Sequence, residues 1–241
     1  MNYKRILLKL SGEALSDGGD AIYNKKVLEN IYEEVKFLVD KKVQVSIVIG
    51  GGNIWRGEIA NQINLDHEKA DYMGMLATSI NSIALTSFFN NKGLESVFVN
   101  MFEIENVAKN ATPEVLNTYL NEGKVVIFGG GTGKPFFSTD TAASLRAKET
   151  NAEAIFIAKN NTNGIYDKDP NTNQDAIFYP EITFQEIIDR KLKVIDITAI
   201  ELLKTTNIEL IIFNMNRDNF IKNLYNNSNQ TKTIVNKKKQ N

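Results

Sequence analysis

The sequence predicts an α/β fold in which a mostly parallel central sheet is covered by helices on both faces, giving a three-layer sandwich. Short apolar segments rich in β-branched residues alternate with segments in which apolar residues recur at helical spacing. Strands that read as continuous apolar runs are typical of parallel sheets with both faces buried. No proline-rich linker, repeat or change in composition divides the 241 residues, so we expect a single domain over residues 1–241.

Each predicted strand is a short apolar run with glycine, polar or charged residues after it. The first run, KRILLKL, is too short and too charged to be the core of a signal peptide. Ligands of a parallel sheet bind beyond the carboxyl ends of its strands, so the residues that follow these runs are the first candidates for a site. The predicted strands cover residues 4–10, 43–49, 96–99, 124–128, 154–158 and 209–213.

Three helices are indicated by periodicity or by their first residues. Thr112-Pro113-Glu114 has the N-cap, first-turn proline and early acid of a helix start. Thr183 and Glu186 have the spacing of a capping box. The helix between the first two strands is indicated by apolar residues at helical spacing, namely Val27, Leu28, Ile31, Val35, Leu38 and Val39.

Composition excludes several classes of function. The chain has no cysteine, which excludes disulfides and thiol catalysis, and its one histidine, His67, is expected to be solvated. A net charge of −1 gives no reason to expect nucleic acid or a membrane as a partner. No apolar run reaches the roughly 18 residues that span a bilayer, so we expect a cytoplasmic protein. Residues 236–241 are expected to form a mobile basic tail.

Two glycine-rich segments follow predicted strands and are candidates for anion binding, because glycine lets backbone N–H groups approach a phosphate closely. The first, residues 50–53, fails the dinucleotide fingerprint because Trp55 replaces its third glycine. The second, residues 129–137, fails the Walker pattern because Phe128 stands at its first glycine and Pro135 follows the lysine. A tight turn remains the alternative interpretation of each triplet.

Two basic residues are placed to meet such an anion. Lys9 lies near the carboxyl end of the first apolar strand, so its ammonium either extends past an edge strand to solvent or points into a site that holds an anion. Arg56 follows the first glycine triplet, where its guanidinium could fork onto phosphate oxygens. Alone, Arg56 would be an ordinary surface arginine.

The segment after the fourth strand places hydroxyl groups around two phenylalanines. The hydroxyls could hold phosphate or sugar oxygens, and Phe136 and Phe137 could wall an apolar pocket. Ser138 or Thr139 could equally be only an N-cap for the next helix. Asp140 would repel a bound anion unless a cation intervened, and an acid at this position more often complements the helix dipole.

Segments in order along nearly the whole chain resemble the bacterial uridylate kinases, which belong to the amino acid kinase superfamily. The resemblance implies the amino acid kinase, or carbamate kinase-like, fold and ATP-dependent phosphorylation of UMP to UDP in pyrimidine nucleotide biosynthesis. The segments are KRILLKLSGEAL, IVIGGGNIWRG, ADYMGMLAT, GGTGKPFFSTD, GIYDKDP and FNM.

The resemblance also implies a role for individual residues. Lys9, Arg56 and Asp140 would be catalytic, with Asp140 orienting Lys9. The implied ATP-binding residues are Lys9, Leu10, Ser11, Gly12, Gly52, Arg56, Asn160, Tyr166 and Asp169. The implied UMP-binding residues are Gly51, Asp71, Thr132, Gly133, Lys134, Pro135, Phe136, Phe137, Ser138 and Thr139.

A kinase of this type needs alignment and charge stabilisation more than a general base. Lys9, Arg56, the glycine-loop amides and Mg²⁺ would stabilise the in-line transfer, with Mg²⁺ held mainly by the ATP phosphates and not by protein ligands. The resemblance further implies a homohexamer and feedback inhibition by UTP. Lys134, Asn160 and Asn163 replace the asparagine, threonine and aspartate usual in the family, which puts their nucleotide contacts in doubt.

Two other functions fit part of the same pattern. One is an amino acid kinase that acts on a carbamate or carboxylate, although a long loop with hydroxyls and two phenylalanines favours a nucleoside. The other is a non-catalytic nucleotide-binding or storage protein on the same fold. The presence of both Lys9 and Arg56 argues against that second alternative.

Overall fold

The central element of the computed structural model is an eight-stranded sheet. The structure describes residues 3–16, 21–159, 161–192, 194–215, 219–226 and 231–237. The strands are β1 (Arg5–Leu10), β2 (Gln44–Ile49), β3 (Ser96–Asn100), β4 (Val125–Gly129), β5 (Ala154–Lys159), β6 (Ile165–Tyr166), β7 (Phe178–Tyr179), β8 (Glu181–Thr183), β9 (Glu209–Asn214) and β10 (Lys232–Asn236).

The sheet has the order β3-β4-β2-β1-β5-β9-β10-β8, and β6 pairs with β7 outside it. All pairings within the sheet are parallel except that of β9 with β10. The predicted α/β class, the mostly parallel sheet and all six predicted strands are therefore confirmed. Strands from both ends of the chain share this sheet, which supports our proposal of one domain.

Eight α-helices lie among the described residues, and a 3₁₀ turn (Gly12–Leu15) follows β1. The predicted helices correspond to α1, α4 and α6. The helices are α1 (Lys25–Asp40), α2 (Glu58–Gln62), α3 (His67–Asn91), α4 (Pro113–Asn121), α5 (Thr139–Glu149), α6 (Phe184–Asp189), α7 (Ile197–Lys204) and α8 (Phe220–Tyr225).

Two apolar cores, one on each face of the sheet, produce the three layers. On one face, β-strand side chains such as Leu8 pack with residues of α1, α3 and α8. On the other face, alternate strand residues such as Leu7 pack with residues of α4, α5, α6 and α7. The alternation follows from the period of two along a strand, and it places Lys9, two residues after Leu7, on the α5 face.

Local capping sets where several helices begin. Asn24 accepts backbone hydrogen bonds at the start of α1, and Asp66 does so for α3. In α6, both halves of the predicted capping box between Thr183 and Glu186 are present. Such caps satisfy N–H groups that have no partner inside the helix.

The predicted boundary of the basic tail is one correction to the sequence analysis. Asn236 is the last residue of β10, is buried, and pairs with Thr183 of β8. Asn236 therefore belongs to the sheet and not to a mobile segment. Residues 238–241 lie outside the described part of the chain.

Two other expectations concern the surface. His67, in the first turn of α3, is exposed, as predicted. Among the residues that the structure describes, no helix combines the length and the apolar character needed to cross a membrane.

Candidate active site

The strand order defines a crevice at the carboxyl end of β1. Along the chain, β1 to β4 build one half of the sheet, and β5 then lies on the opposite side of β1 from β2. In open α/β sheets, ligands bind at such a switch point, beyond the carboxyl ends of the strands. Lys9 is the next-to-last residue of β1 and therefore lies beside this crevice.

Lys9 forms an ion pair with Asp140 in the first turn of α5. Lys9 Nζ lies 2.9 Å from Asp140 Oδ1, and the two side chains are only 13% and 17% exposed. The lysine thus does not extend past an edge strand to solvent, which was the alternative left by the sequence. The Lys9 ammonium offsets the negative charge of Asp140, which would otherwise repel an anion bound at the start of α5.

The segments after β1 and β2 touch each other through their backbones. A Cβ on Gly12 would lie 2.5 Å from Asn53 Oδ1 and 2.6 Å from Gly52 N, closer than real Cβ atoms approach. Gly50 N–H also donates to Leu10 O at 2.9 Å. Glycine is required at residue 12 because no side chain fits between the two loops.

Asn81 of α3 fixes the second of these loops from behind. Its fully buried Nδ2 group donates to Gly50 O at 2.7 Å and to Asn53 Oδ1 at 2.8 Å. Gly51 lies against the same helix, next to Gly74 and Ala77. Helix α3 therefore holds the loop after β2 in place.

Arg56 is held at the rim of the glycine loops. Its Nη2 pairs with Glu13 Oε1 at 2.9 Å, and its Nε donates to Gly52 O at 3.3 Å. The side chain remains 61% exposed. An exposed guanidinium has further N–H donors with which it could bind a phosphate.

The loop after β4 is fastened to α3. Asp71 Oδ2 accepts a hydrogen bond from Phe136 N–H at 2.7 Å. The Thr132 hydroxyl closes a turn by donating to Lys134 O at 2.9 Å. Phe136 and Phe137 are 73% and 49% exposed, so the apolar pocket expected around them stands open to solvent in this chain.

The start of α5 is tied to the start of α7 by Asp196. The Ser138 hydroxyl caps α5 and donates to Asp196 Oδ2. The Thr141 hydroxyl donates to Asp196 Oδ1 at 3.0 Å, and that oxygen also accepts from Ala199 N–H at 2.9 Å. Ser138 is thus an N-cap, as the sequence allowed, while Thr139 begins the helix.

A cavity of about 540 Å³ opens beside β5, on the side of the crevice opposite the glycine loop of β2. Tyr166 and Asp169 line it together with Lys159, the last residue of β5. Tyr166 also packs against the Phe178 ring at a centroid distance of 5.2 Å. Asn160, which was expected to contact ATP, lies outside the described residues.

Lys159 has an unusual electrostatic environment. Its Nζ donates to Val194 O at 2.9 Å. Burial lowers the pKa of the Lys159 ammonium, the charge of Lys9 lowers it further, and the carboxylate of Asp140 partly offsets both. The charges of Lys9 and Asp140 therefore both act on Lys159.

The structure thus brings most of the sequence-predicted residues to one edge of the sheet, in two groups on either side of β1. Leu10 is an exception in one respect, because its side chain is fully buried in the core and only its backbone faces the loops. Sequence reasoning missed Asn81, Asp196 and Lys159. For Lys159 a signal existed, since it ends an apolar strand in the same way as Lys9.

Comparison with known proteins agrees with this architecture. The model of the amino acid kinase family matches residues 4–214. The chain therefore belongs to the amino acid kinase family.

Within that family, the chain is similar to proteins named uridylate kinase. It is 46% identical to the uridylate kinase of Mycoplasma capricolum subsp. capricolum, over 91% of this chain and 92% of that protein. It is 44% identical to the uridylate kinase of Mycoplasmopsis synoviae, over 92% of this chain and 93% of that protein. The crystal structure of UMP kinase from Ureaplasma parvum superposes with a TM-score of 0.93 at 36% identity, covering 98% of this chain and all of that one (100%).

Proposed function

We propose that this chain is a UMP kinase, which transfers the γ-phosphoryl group of ATP to the phosphate of UMP and produces ADP and UDP. The observation that carries the proposal is the place of the Lys9–Asp140 pair. The pair lies at the carboxyl end of β1, between the cavity beside β5 and the loops that follow β2 and β4, in a chain that is similar to uridylate kinases. This arrangement supports two substrates that meet at one ammonium group.

The two regions would bind different nucleotides. On the β5 side, Tyr166 offers a flat face for adenine, and Asp169 and Asn160 would complete the donor site. On the β2 and β4 side, Gly51, Asp71 and residues 132–139 would bind UMP. Asp71 has two carboxylate oxygens, so Oδ2 can hold Phe136 N–H while Oδ1 accepts a ribose hydroxyl.

The chemistry requires no general base. An oxygen of the UMP phosphate attacks the γ-phosphorus, a new P–O bond forms, and the bond from that phosphorus to the β–γ bridging oxygen breaks as ADP leaves. Lys9, the amides around Gly12 and Gly52, and the exposed Arg56 would stabilise the negative charge that gathers there. Asp140 would keep the Lys9 ammonium aimed at the transferring group.

Mg²⁺ would enter with the donor nucleotide. In the described part of the chain, no three His, Asp or Glu side chains are grouped so that they could hold a metal ion. These side chains therefore do not fit a resident metal, and we assign Mg²⁺ to the ATP phosphates and water.

Helix α3 exposes an apolar stripe on its surface. A stripe of this kind supports a homo-oligomer, and we propose the homohexamer that the resemblance implies. UTP would inhibit by occupying the uridine site, and the enzyme would act in the cytoplasm, where its substrates are. The stripe consists of Tyr72, Met73, Leu76, Ile80 and Ile83.

The proposal is tested by measuring ADP release with UMP, CMP, carbamate and aspartate as alternative acceptors. We expect turnover with UMP in clear preference to the other three. A preference for carbamate or aspartate would instead identify a different amino acid kinase, and ATP binding without turnover on any acceptor would favour a non-catalytic nucleotide-binding protein.

Lys9→Met then tests the catalytic assignment. By analogy with loss of one oxyanion donor, kcat should fall by about 10²-fold or more while UMP affinity changes much less. The Lys9→Met/Asp140→Asn double variant removes both charges, so a similar loss in that variant cannot come from an unpaired buried carboxylate. Lys124→Met is the control, because Lys124 lies just before the amino end of β4, away from the crevice. Near-normal kcat in Lys9→Met would end this role for Lys9.

A further inference from the structure

Lys159 stands across the switch point from Lys9 and faces the same side of the sheet. In the parallel pairing of β1 with β5, the partner of Lys9 is Ile157. Since side chains alternate along a strand, Lys159 projects to the same face as Ile157 and Lys9. Asp140 of α5 lies on that face as well. Two ammonium groups and one carboxylate therefore converge at the carboxyl ends of two neighbouring strands.

The charges of this group do not balance. Asp140 pairs with Lys9 at 2.9 Å, while Lys159 Nζ donates to a neutral carbonyl, Val194 O. A buried ammonium is costly unless an opposite charge lies near it. The lowered pKa of Lys159, caused first by burial and then by the charge of Lys9, reflects that cost. An incoming anion would relieve it.

The position of Lys159 identifies which anion would do so. Lys159 lines the 540 Å³ cavity that also contains Tyr166 and Asp169, and its ammonium feels the charge of Lys9. A nucleotide whose base lies against Tyr166 and whose last phosphate reaches Lys9 would run past Lys159, which lines the same cavity and ends the strand beside β1. An ammonium at that point would face the phosphate chain.

We propose that Lys159 binds the β- and γ-phosphates of the donor nucleotide and so acts as a second ammonium of the active site, opposite Lys9. The inference rests on the proposed function, because it takes the β5 cavity as the donor site. A different role is conceivable for the same contact. Lys159 could serve only to hold Val194 and the segment before α7, and this tether would support every nucleotide equally.

The test compares a triphosphate with a monophosphate in one variant. Lys159→Gln removes the charge but keeps an N–H donor for Val194 O, and Lys159→Arg keeps the charge. Binding of a non-hydrolysable ATP analogue with Mg²⁺, and of AMP, is measured by calorimetry without any acceptor. We expect Lys159→Gln to weaken the ATP analogue by about tenfold or more, because a charge-assisted contact is lost, and to change AMP by less than about twofold.

Lys159→Arg should retain most of the preference for the triphosphate, and Lys124→Met, a partly buried lysine that precedes β4 at the other edge of the sheet, should match the wild type. Equal weakening of the ATP analogue and AMP in Lys159→Gln would establish the tether and overturn the proposal. Unchanged binding of both would overturn it as well. Because no acceptor is present, these results are independent of whether UMP is the acceptor.

Discussion

The two sides of the crevice are held in place in different ways. The loop after β4 is fastened to helix α3, through Asp71 to Phe136 N–H at 2.7 Å and through the Thr78 hydroxyl, which accepts from Gly130 N–H at 2.9 Å. The segment after β5 is fastened to β10, where Thr233 Oγ1 accepts from Ile165 N–H at 2.8 Å, and by hydrogen bonds within the segment. There Asp169 Oδ1 accepts from Asn171 N–H at 2.9 Å, and Asp167 Oδ1 accepts from Ile177 N–H at 2.7 Å.

This difference has a consequence for how the two nucleotides would be recognised. Helix α3 carries both the contacts to the β4 loop and the exposed apolar stripe, so the acceptor side is mechanically linked to the surface that we propose for assembly. The donor side is held by β10 and by hydrogen bonds of its own, and it lines its own cavity. Changes on the donor side should therefore leave UMP recognition intact, and changes on the acceptor side should leave ATP recognition intact.

Among the substitutions that compare the two sides, Tyr166→Ala on the donor side should have the largest effect. Stacking of a base on an aromatic ring is worth about 1–3 kcal/mol, so the KM for ATP should rise about tenfold or more while the KM for UMP stays nearly constant. Titrations of each substrate at saturating concentrations of the other provide the measurement. Tyr166→Phe keeps the ring and should behave almost as the wild type. A rise in the KM for UMP instead would show that the two sides are assigned the wrong way round.

The next effect is expected from Asp71→Ala on the acceptor side. The substitution removes both the anchor of Phe136 N–H and the proposed acceptor for the ribose, so the KM for UMP should rise and the preference for UMP over dUMP should shrink. Asp71→Asn keeps one oxygen that can accept from Phe136 N–H. It should retain more UMP affinity than Asp71→Ala, and both variants should have a normal KM for ATP.

An unchanged preference for UMP over dUMP in Asp71→Ala would leave Asp71 with the loop contact alone. A normal KM for UMP in addition would remove Asp71 from the acceptor site altogether.

The fold could be predicted well because its main signals are local. Central parallel strands such as β2 and β4 are buried on both faces, and each is a continuous apolar run that stands out in the sequence. The short strands β6, β7 and β8 contain two or three residues each, too few for a periodic pattern. Strand β10, which pairs antiparallel to β9, has polar residues at both ends and was missed for a similar reason.

The candidate site could be predicted only where its residues follow strands directly. Lys9 and the glycine segments met that condition. The contact of Asn81 with Gly50 spans 31 residues, and that of Thr141 with Asp196 spans 55. Neither Asn81 in mid-helix nor Asp196 at a helix start differs locally from an ordinary polar residue. Their roles depend on packing between elements that the sequence does not show.

The smallest effect is expected from Gly133→Ala. This substitution strains the backbone of the loop after β4 and leaves the other side chains of that loop unchanged. Gly133 has φ +76°, and a Cβ there would lie 3.3 Å from Met101 Cβ. A non-glycine residue in the left-handed region costs about 1–2 kcal/mol, so the loop should shift or be destabilised. We expect the KM for UMP to rise by roughly three- to tenfold and the KM for ATP to remain unchanged.

Gly123→Ala is a matched control for this substitution. Gly123 has φ +81°, and among the described residues other than 122–124 no heavy atom lies within 4 Å of its Cβ position. It lies in the turn before β4, at the edge of the sheet away from the crevice. Thermal unfolding should show a lower Tm for both variants, because both strain the backbone. Only Gly133→Ala should raise the KM for UMP. If Gly123→Ala raises it equally, the effect comes from general destabilisation, and the loop after β4 has no special part in holding the acceptor.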